Sequence, residues 1–356
     1  MVEQVKQRRA EKSFLEQVFI GLDVHKTKWS VSIYEGQEHK QTYSMEPKSG
    51  QLIKKLKKKY PGWRIKLCYE AGFCGFCPQR DFESAGYECL VIHAADIPST
   101  NFNKRRKSDS LDSKHLGLML SRGLLSSIYV PSKEQEEIRS IVRLRLKTSK
   151  DRRREMNRIR AFINCHGLEL PAGLPSKRLW AKQGHNWLQK MGQQYFALKK
   201  LYEAYQFKRN AEKEIRTHLR ERIKNSSYQK VYEVLLSAPG VGPCTASLLI
   251  AELGSMLRFK NLDKLASYCG LVPDVRSSAD KVRVLGVTSR GNKRIRTALI
   301  EAAWIARRVD PKLHEVYLQG LEKGRPKQSI IVKIARKLLS RLRAIWIKQQ
   351  EYQLAA

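Results

Sequence analysis

The sequence predicts an α/β layer domain followed by mostly helical segments, α/β plus α overall, and three observations carry that prediction. Up to about residue 95, β-rich apolar runs alternate with short amphipathic stretches. From "PSKEQEEIRSIVRLRLK" onward, apolar residues recur at helical spacing on a strongly cationic background. Beyond about residue 230, apolar helical stretches are joined by Gly-rich turns.

Residues 18–23 and 29–34 read as strands, the second alternating as "WSVSIY", and "KQTY" at 40–43 adds a third, so the start is a meander. "SGQLIKKLKKKYPG" reads as a short helix with an N-cap serine, an apolar stripe at Leu52, Ile53 and Leu56, and a Pro-Gly stop. "RIKLCYEAG" is the next strand, closed by Glu70 and broken by Gly72. "YECLVIHAA" is a further buried strand, reached through a helix near 78–85. Strands and helices in this order make a mixed layer sandwich.

The stripe Ile138, Val142, Met156, Ile159 and Ile163 marks one long amphipathic helix. "LELPAGLPS" interrupts it, and a second stripe runs from Trp187 through Tyr195, Leu198, Tyr202 and Tyr205 to Ile223. Two long helices around a proline-containing break predict an antiparallel hairpin or coiled-coil arm. The last helix carries Ile331, Ile334, Leu338, Leu342 and Ile345 on one face, which core packing explains more simply than a membrane role. The expected organisation is a basic tail at 1–16, an α/β domain at 17–130, a helical arm at 131–229 and a helical C-terminal domain at 230–350.

Lys and Arg outnumber Asp and Glu by 69 to 34, a formal net charge of +35, and the cations recur in every region. Such a surface suits a long polyanion, nucleic acid first. No apolar run approaches the roughly 20 residues of a membrane span, and the N-terminus has no hydrophobic signal core, so a cytoplasmic, nucleoid-associated protein is expected. Seven irregularly spaced cysteines fit reduced thiols, and "CGFC" reads as a structural or incidental pair.

Against this basic field stand Asp23 and Glu70, each closing a strand, and Asp109 and Asp112, three positions apart at a helix start. Singly, each has an ordinary reading as a turn former or a first-turn acid favoured by the helix dipole. Together, with "NKRRK" just before the helix, they read as hard oxygen ligands for Mg²⁺, with Mn²⁺ as a substitute. An ion there reverses the local sign and admits a phosphate. "LLSAPGVGPCTASLLIAELG" has the pattern of a helix-hairpin-helix, in which Gly240 and Gly242 let backbone N–H groups approach phosphate. Further on, Ser277 and Ser278 follow Arg276 and precede Arg290, Lys293 and Arg294. A serine there is either a cap or a nucleophile among cations.

"GLDVHK", then "YEAG", then "KSDSLDSKHL" resembles the N-terminal signature of the DEDD transposases of insertion sequences, a group that includes Piv-type invertases and bridge-RNA-guided recombinases. The resemblance implies a RuvC-like, ribonuclease-H-type domain whose acidic tetrad corresponds to Asp23, Glu70, Asp109 and Asp112. The stretch 235–304, with its "GLVP…SS…SRGNK" run, is similar to the family's C-terminal domain, where a serine attacks DNA and forms a covalent phosphoserine. On that motif Ser278 is the nucleophile and Ser277 the fallback, with Ala279 standing where the family usually has glycine.

The expected function is therefore a recombinase that moves or inverts a mobile element. Its partners are double-stranded donor and target DNA, a structured guide (bridge) RNA, and further copies of the chain, from dimer to tetramer. Lys26, Lys104, Arg105, Arg106, Lys107, Gly240, Gly242, Arg276, Arg290, Lys293 and Arg294 are the expected nucleic-acid contacts. Two rivals stand beside it: a hydrolytic RuvC-like nuclease or resolvase without a serine nucleophile, and a non-enzymatic nucleic-acid-binding protein.

Overall fold

A computed structural model describes residues 17–98, 109–278, 281–288 and 290–354, and over 274–285 it describes the backbone path alone. The chain divides into two compact units between Val130 and Pro131.

The first unit is built on five strands, β1 (Gln17–Val24), β2 (Trp29–Glu35), β3 (Glu38–Met45), β4 (Arg64–Glu70) and β5 (Glu88–Ile92), in the order β3-β2-β1-β4-β5. The first three form an antiparallel meander, and β4 and β5 run parallel to β1. Helices α1 (Ser49–Lys59) and α2 (Cys77–Ser84) supply the crossovers, and α3 (Asp109–Ser121) follows β5. This is the expected mixed sheet.

Strand β1 is apolar on both faces because it is covered on both. Val18, Ile20 and Leu22 share a core with Leu52 and Leu56 of α1 and Phe82 of α2. Phe19 packs with Leu116 and Leu120 of α3 in the opposite layer. Helix α3 lies close on the strand because both contact points are glycines: a Cβ on Gly21 would stand 2.1 Å from the Ser113 carbonyl oxygen, and one on Gly117 would stand 2.7 Å from the Tyr34 ring. The buried Ser113 hydroxyl meets those of Ser30 at 3.0 Å and Ser32 at 2.8 Å, which fixes the helix in register over β2. At α1 the N-cap is Lys48 and not the expected Ser49. Ser49 is already helical, and its hydroxyl donates to the Asp81 carboxylate on α2.

The second unit begins with α4 (Lys133–Cys165), capped by the Ser132 hydroxyl on the Gln135 amide at 3.1 Å. The second arm stripe is not one helix: it divides at Tyr195, whose backbone is extended, into α5 (Lys182–Gln194) and α6 (Phe196–Lys224). Helices α4 and α6 pair antiparallel, tied by Arg152–Glu212 at 2.7 Å and Arg222–Glu137 at 2.7 Å. Their far ends enclose Ile159, Ile163, Leu198 and Tyr202. Their near ends, through Ile138, Val142, Leu219 and Ile223, belong to the same core as residues of the C-terminal segment such as Leu249, Leu299 and Leu338. Arm and C-terminal segment thus share one hydrophobic interior.

The remainder comprises α7 (Gln229–Leu236), α8 (Pro243–Leu253), α9 (Leu262–Tyr268), a hairpin of β6 (Pro273–Ser278) and β7 (Lys281–Val287), then α10 (Lys293–Val309), α11 (Pro311–Glu322) and α12 (Lys327–Lys348). The hairpin is an element not anticipated within this mostly helical region. Ser277 pairs with Val282 and Ser278 with Lys281, so the two serines lie at the end of a strand and not at the start of a helix. The apolar stripe of α12 is core, with Ile331, Ile334, Leu338, Leu342 and Ile345 all buried.

Candidate active site

The hairpin between β1 and β2 determines where Asp23 stands. Val24 pairs with Trp29, leaving four residues to turn the chain, and the His25 amide donates to the Lys28 carbonyl at 3.2 Å. This tight turn folds the His25 and Lys28 side chains back over the strand end. His25 Nε2 lies 3.2 Å from Asp23 Oδ2 and 3.5 Å from Asp109 Oδ1, and Lys28 Nζ lies 3.1 Å from Asp109 Oδ2. Asp109 arrives from the first turn of α3, held near by the Gly21 contact described above.

The two aspartates have opposite electrostatics. Burial pushes the Asp23 carboxyl above its ordinary range, and the charges of Asp109 and Asp112 add to the shift, while His25 opposes it. Asp109 is held below its ordinary range, first by the hydrogen bond from Lys28. A buried acid crowded by like charges favours a proton or a cation.

Among the described residues, Asp23, His25 and Asp109 form a set whose ligand atoms all lie within 4.8 Å of one another. Asp112 joins them electrostatically through its effect on Asp23. Glu70 closes β4, where the pairing of Leu22 with Tyr69 brings it to the strand end beside Asp23, but it is exposed and outside that close set. The carboxylate oxygens suit a hard divalent cation, Mg²⁺ or Mn²⁺, with the His25 imidazole standing beside them and not among the ligands such an ion prefers. His25 and Lys28 were not anticipated as site residues; their signal was their place in a four-residue turn directly after Asp23.

Lys26, on the same turn, is exposed, with Nζ 5.9 Å from the centroid of the Phe73 ring. Lys104, Arg105, Arg106 and Lys107 lie outside the described residues, and Arg276, Ser277 and Ser278 lie where only the backbone is described.

In the second unit Gly240 and Gly242 differ. Gly240 has φ +80°, and a Cβ there would stand 2.3 Å from the Ala302 carbonyl oxygen of α10, so its lack of a side chain serves packing inside the protein. Gly242, the N-cap of α8, is exposed with open space around it. Arg290, Lys293 and Arg294 are exposed around the start of α10, where the helix dipole is also positive. The loop before them is anchored. A Cβ on Gly291 would stand 2.1 Å from the Gly270 Cα, and the Asn292 amide donates to the Tyr268 carbonyl at 2.7 Å.

Beneath that loop lies Glu252, whose side chain is 2% exposed. Arg143 of α4 grips it twice, at 2.9 and 3.0 Å, and Asn292 Nδ2 donates to it at 3.2 Å. Burial alone would raise its carboxyl, but Arg143, with Arg139 and Arg294, brings it below the ordinary range. Glu252 too was missed; an acid inside the apolar run "LLIAEL" was its signal.

A DEDD transposase model of the IS110 group matches residues 20–166, and the model described as the transposase IS116/IS110/IS902 family matches residues 232–318. The protein y4qE of Sinorhizobium fredii is 30% identical over 334 residues, spanning 92% of this chain and 80% of its own length. The chain belongs to the IS110/IS116 family of DEDD transposases. The transposase for insertion sequence element IS1111A of Coxiella burnetii is 26% identical over 288 residues, covering 78% of this chain and 76% of its own. That for IS1533 of Leptospira borgpetersenii is 26% identical over 257 residues, covering 68% and 72%. As a transposase the chain is an enzyme that cuts and rejoins DNA, which sets aside the non-enzymatic reading. Its DEDD domain is RuvC-like, a class that typically depends on a divalent metal. Among the described residues, no helix is long and apolar enough to cross a membrane.

Proposed function

We propose that the transposase cuts DNA at the acid cluster of its first unit, with Asp23, Asp109, Asp112 and Glu70 as the oxygen donors for Mg²⁺ or Mn²⁺. The observation that carries this reading is the set of Asp23, His25 and Asp109 ligand atoms within 4.8 Å, at the end of a sheet of RuvC-like order. A divalent ion bound there supplies charge neutralisation at the scissile phosphate and acidifies a bound water. The residues do the rest: Asp23, raised by burial and by its acidic neighbours, favours a cation over bare charge, and the Gly21 contact holds Asp109 in reach. His25 is placed to accept or donate a proton beside both carboxylates. This reading is metal-assisted cutting of the RuvC type, with water able to act as nucleophile.

The test is strand cutting and joining on a fragment carrying the ends of the element, in Mg²⁺ and in Mn²⁺. Asp23→Asn and Asp109→Asn are expected each to lose on the order of 100-fold or more in rate, the loss typical of an electrostatic stabiliser of the transition state, while still binding DNA. Undiminished cutting by both variants overturns the proposal.

A second reading keeps Ser278 as nucleophile, with Ser277 as fallback, and a covalent phosphoserine that conserves the phosphoester bond for rejoining. Its support is the backbone position of Ser278 at the closed end of the β6–β7 hairpin, whose base is closed by the Thr288 amide donating to the Val272 carbonyl at 3.0 Å and tied to α10 by Arg296 donating to the Thr288 carbonyl at 2.6 Å. Ser278→Ala separates the two: cutting survives it in the first reading and stops in the second. A structured guide RNA and a dimer-to-tetramer assembly on two duplexes complete the proposal, supported by the net charge of +35 spread along the chain. Recovery of a discrete RNA with the protein, and its mass in solution, test these parts.

A further inference from the structure

Beside the acid cluster, on the outer side of the β1–β2 turn, runs an open cleft of about 510 Å³, in the ~300–1,000 Å³ range of ligand sites. His25 belongs to both: its ring faces Asp23 and Asp109 and also lines the cleft. On one side stands Phe73, 60% exposed, an aromatic ring left open to solvent with Lys26 5.9 Å from its centroid. Lys48, Ser49 and Asp81 line the other part, the last two hydrogen-bonded to each other.

An exposed ring beside lysines, continuous with a site for phosphodiester chemistry, has the composition of a surface for single-stranded nucleic acid: a π face for a base and cations for the flanking phosphates. Duplex DNA cannot offer a base to such a cleft without unstacking it. We propose that this cleft takes one unpaired base of the DNA strand adjacent to the scissile phosphate, stacked on Phe73, with Lys26 and Lys48 on its neighbouring phosphates and the Ser49–Asp81 pair facing its polar edge. The proposal rests on the acid cluster being the cutting site, since His25 is what joins the two. The cleft orients the strand, and Phe73 is a positioning residue.

The test uses full-length protein purified from cells carrying its element, and element-end DNA with 5-iodouracil at successive positions around the cut. Irradiation is expected to cross-link one or two adjacent positions to the peptide containing Phe73. Phe73→Ala loses that cross-link and weakens binding of DNA with an unpaired end by roughly 5- to 100-fold, the range for loss of one stacked base, whereas Phe73→Tyr retains both. Alkylation gives a second measurement independent of variant folding. Cys77 lines the same cleft and is exposed, and exposed Cys165 in the second unit reports general coverage. Bound DNA is expected to slow maleimide labelling of Cys77 more than that of Cys165. Equal protection of both thiols, cross-links that bypass Phe73 at every position, or a cross-link there from RNA alone overturns the proposal. If Asp23→Asn still cuts while the Phe73 cross-link persists, the cutting assignment fails and the cleft stands as a DNA contact. If the cross-link is absent while Asp23→Asn is inert, the cleft assignment alone fails.

Discussion

Gly21 on β1 and Gly117 on α3 meet backbone to backbone: a Cβ on Gly21 would stand 2.3 Å from the Gly117 nitrogen. The absence of two side chains sets the distance between strand and helix, and with it the distance between Asp23 and Asp109. Gly21→Ala is expected to cost at least about 1–3 kcal/mol, as overpacking does, read by urea unfolding. Because the helix must withdraw, Mn²⁺ affinity should fall further than stability. A variant with unchanged metal affinity would show that the contact does not govern the site.

The Glu252 cluster is expected to respond asymmetrically. Arg143→Met leaves a carboxylate, 2% exposed, without its main partner, and about 3–5 kcal/mol is the usual cost of such an orphan. Glu252→Gln leaves Arg143, 47% exposed, free to turn to water, so its cost should be smaller. Equal losses for the two in denaturant titrations would count against the burial argument.

Acid sensitivity follows from Glu252 and Asp310. Burial opposes ionisation of both, yet Arg143 at Glu252, and Tyr352, the Leu313 amide and Arg341 at Asp310, hold the carboxyls below their ordinary range in the folded chain. The unfolded chain therefore takes up protons first as pH falls. The stabilisation is fully present above the unfolded carboxylate range, about pH 4, and is lost as pH drops through the lower folded values. The stability gap between the wild type and a Glu252→Gln, Asp310→Asn variant should be widest near neutrality and narrow in acid.

The two glycines of "PGVG", Gly240 and Gly242, stand two residues apart and should part company on substitution. Gly240→Ala is expected to destabilise the second unit, since it combines φ +80° with a carbonyl 2.3 Å from the new Cβ. Gly242→Ala meets no atom within 4 Å and should leave stability nearly unchanged. If phosphate approaches the backbone closely there, the added methyl lowers DNA affinity in Gly242→Ala without loss of fold; unchanged affinity removes that close approach from the interface.

Binding to duplex DNA should weaken steeply with salt, with a log–log slope of about −0.9 per phosphate neutralised. A flat response would contradict the reading of the charge as a DNA-facing surface.

The strand ends were legible because an apolar run that stops at a carboxylate is a local signal, and Asp23 and Glu70 both have it. What brings Asp109 close was not, because it depends on Gly21 meeting Gly117, a contact 96 residues apart in the chain. The hairpin at 273–287 escaped notice because "VRSSADKVRVLGV" alternates charge with small apolar residues and offers no continuous apolar run. The break at Tyr195 was hidden by a stripe that continues in phase through it. Glu252 is a tertiary matter: only the fold brings Arg143, more than a hundred residues away, to its side.

Helix α4 has 33 residues and so measures about 50 Å. Its near end carries the guanidinium that grips Glu252, and Glu252 in turn holds the asparagine that starts α10. A single carboxylate at the root of the arm therefore couples it to the loop on which Arg290 and Lys293 are mounted, and neither can shift against the other without breaking that pair.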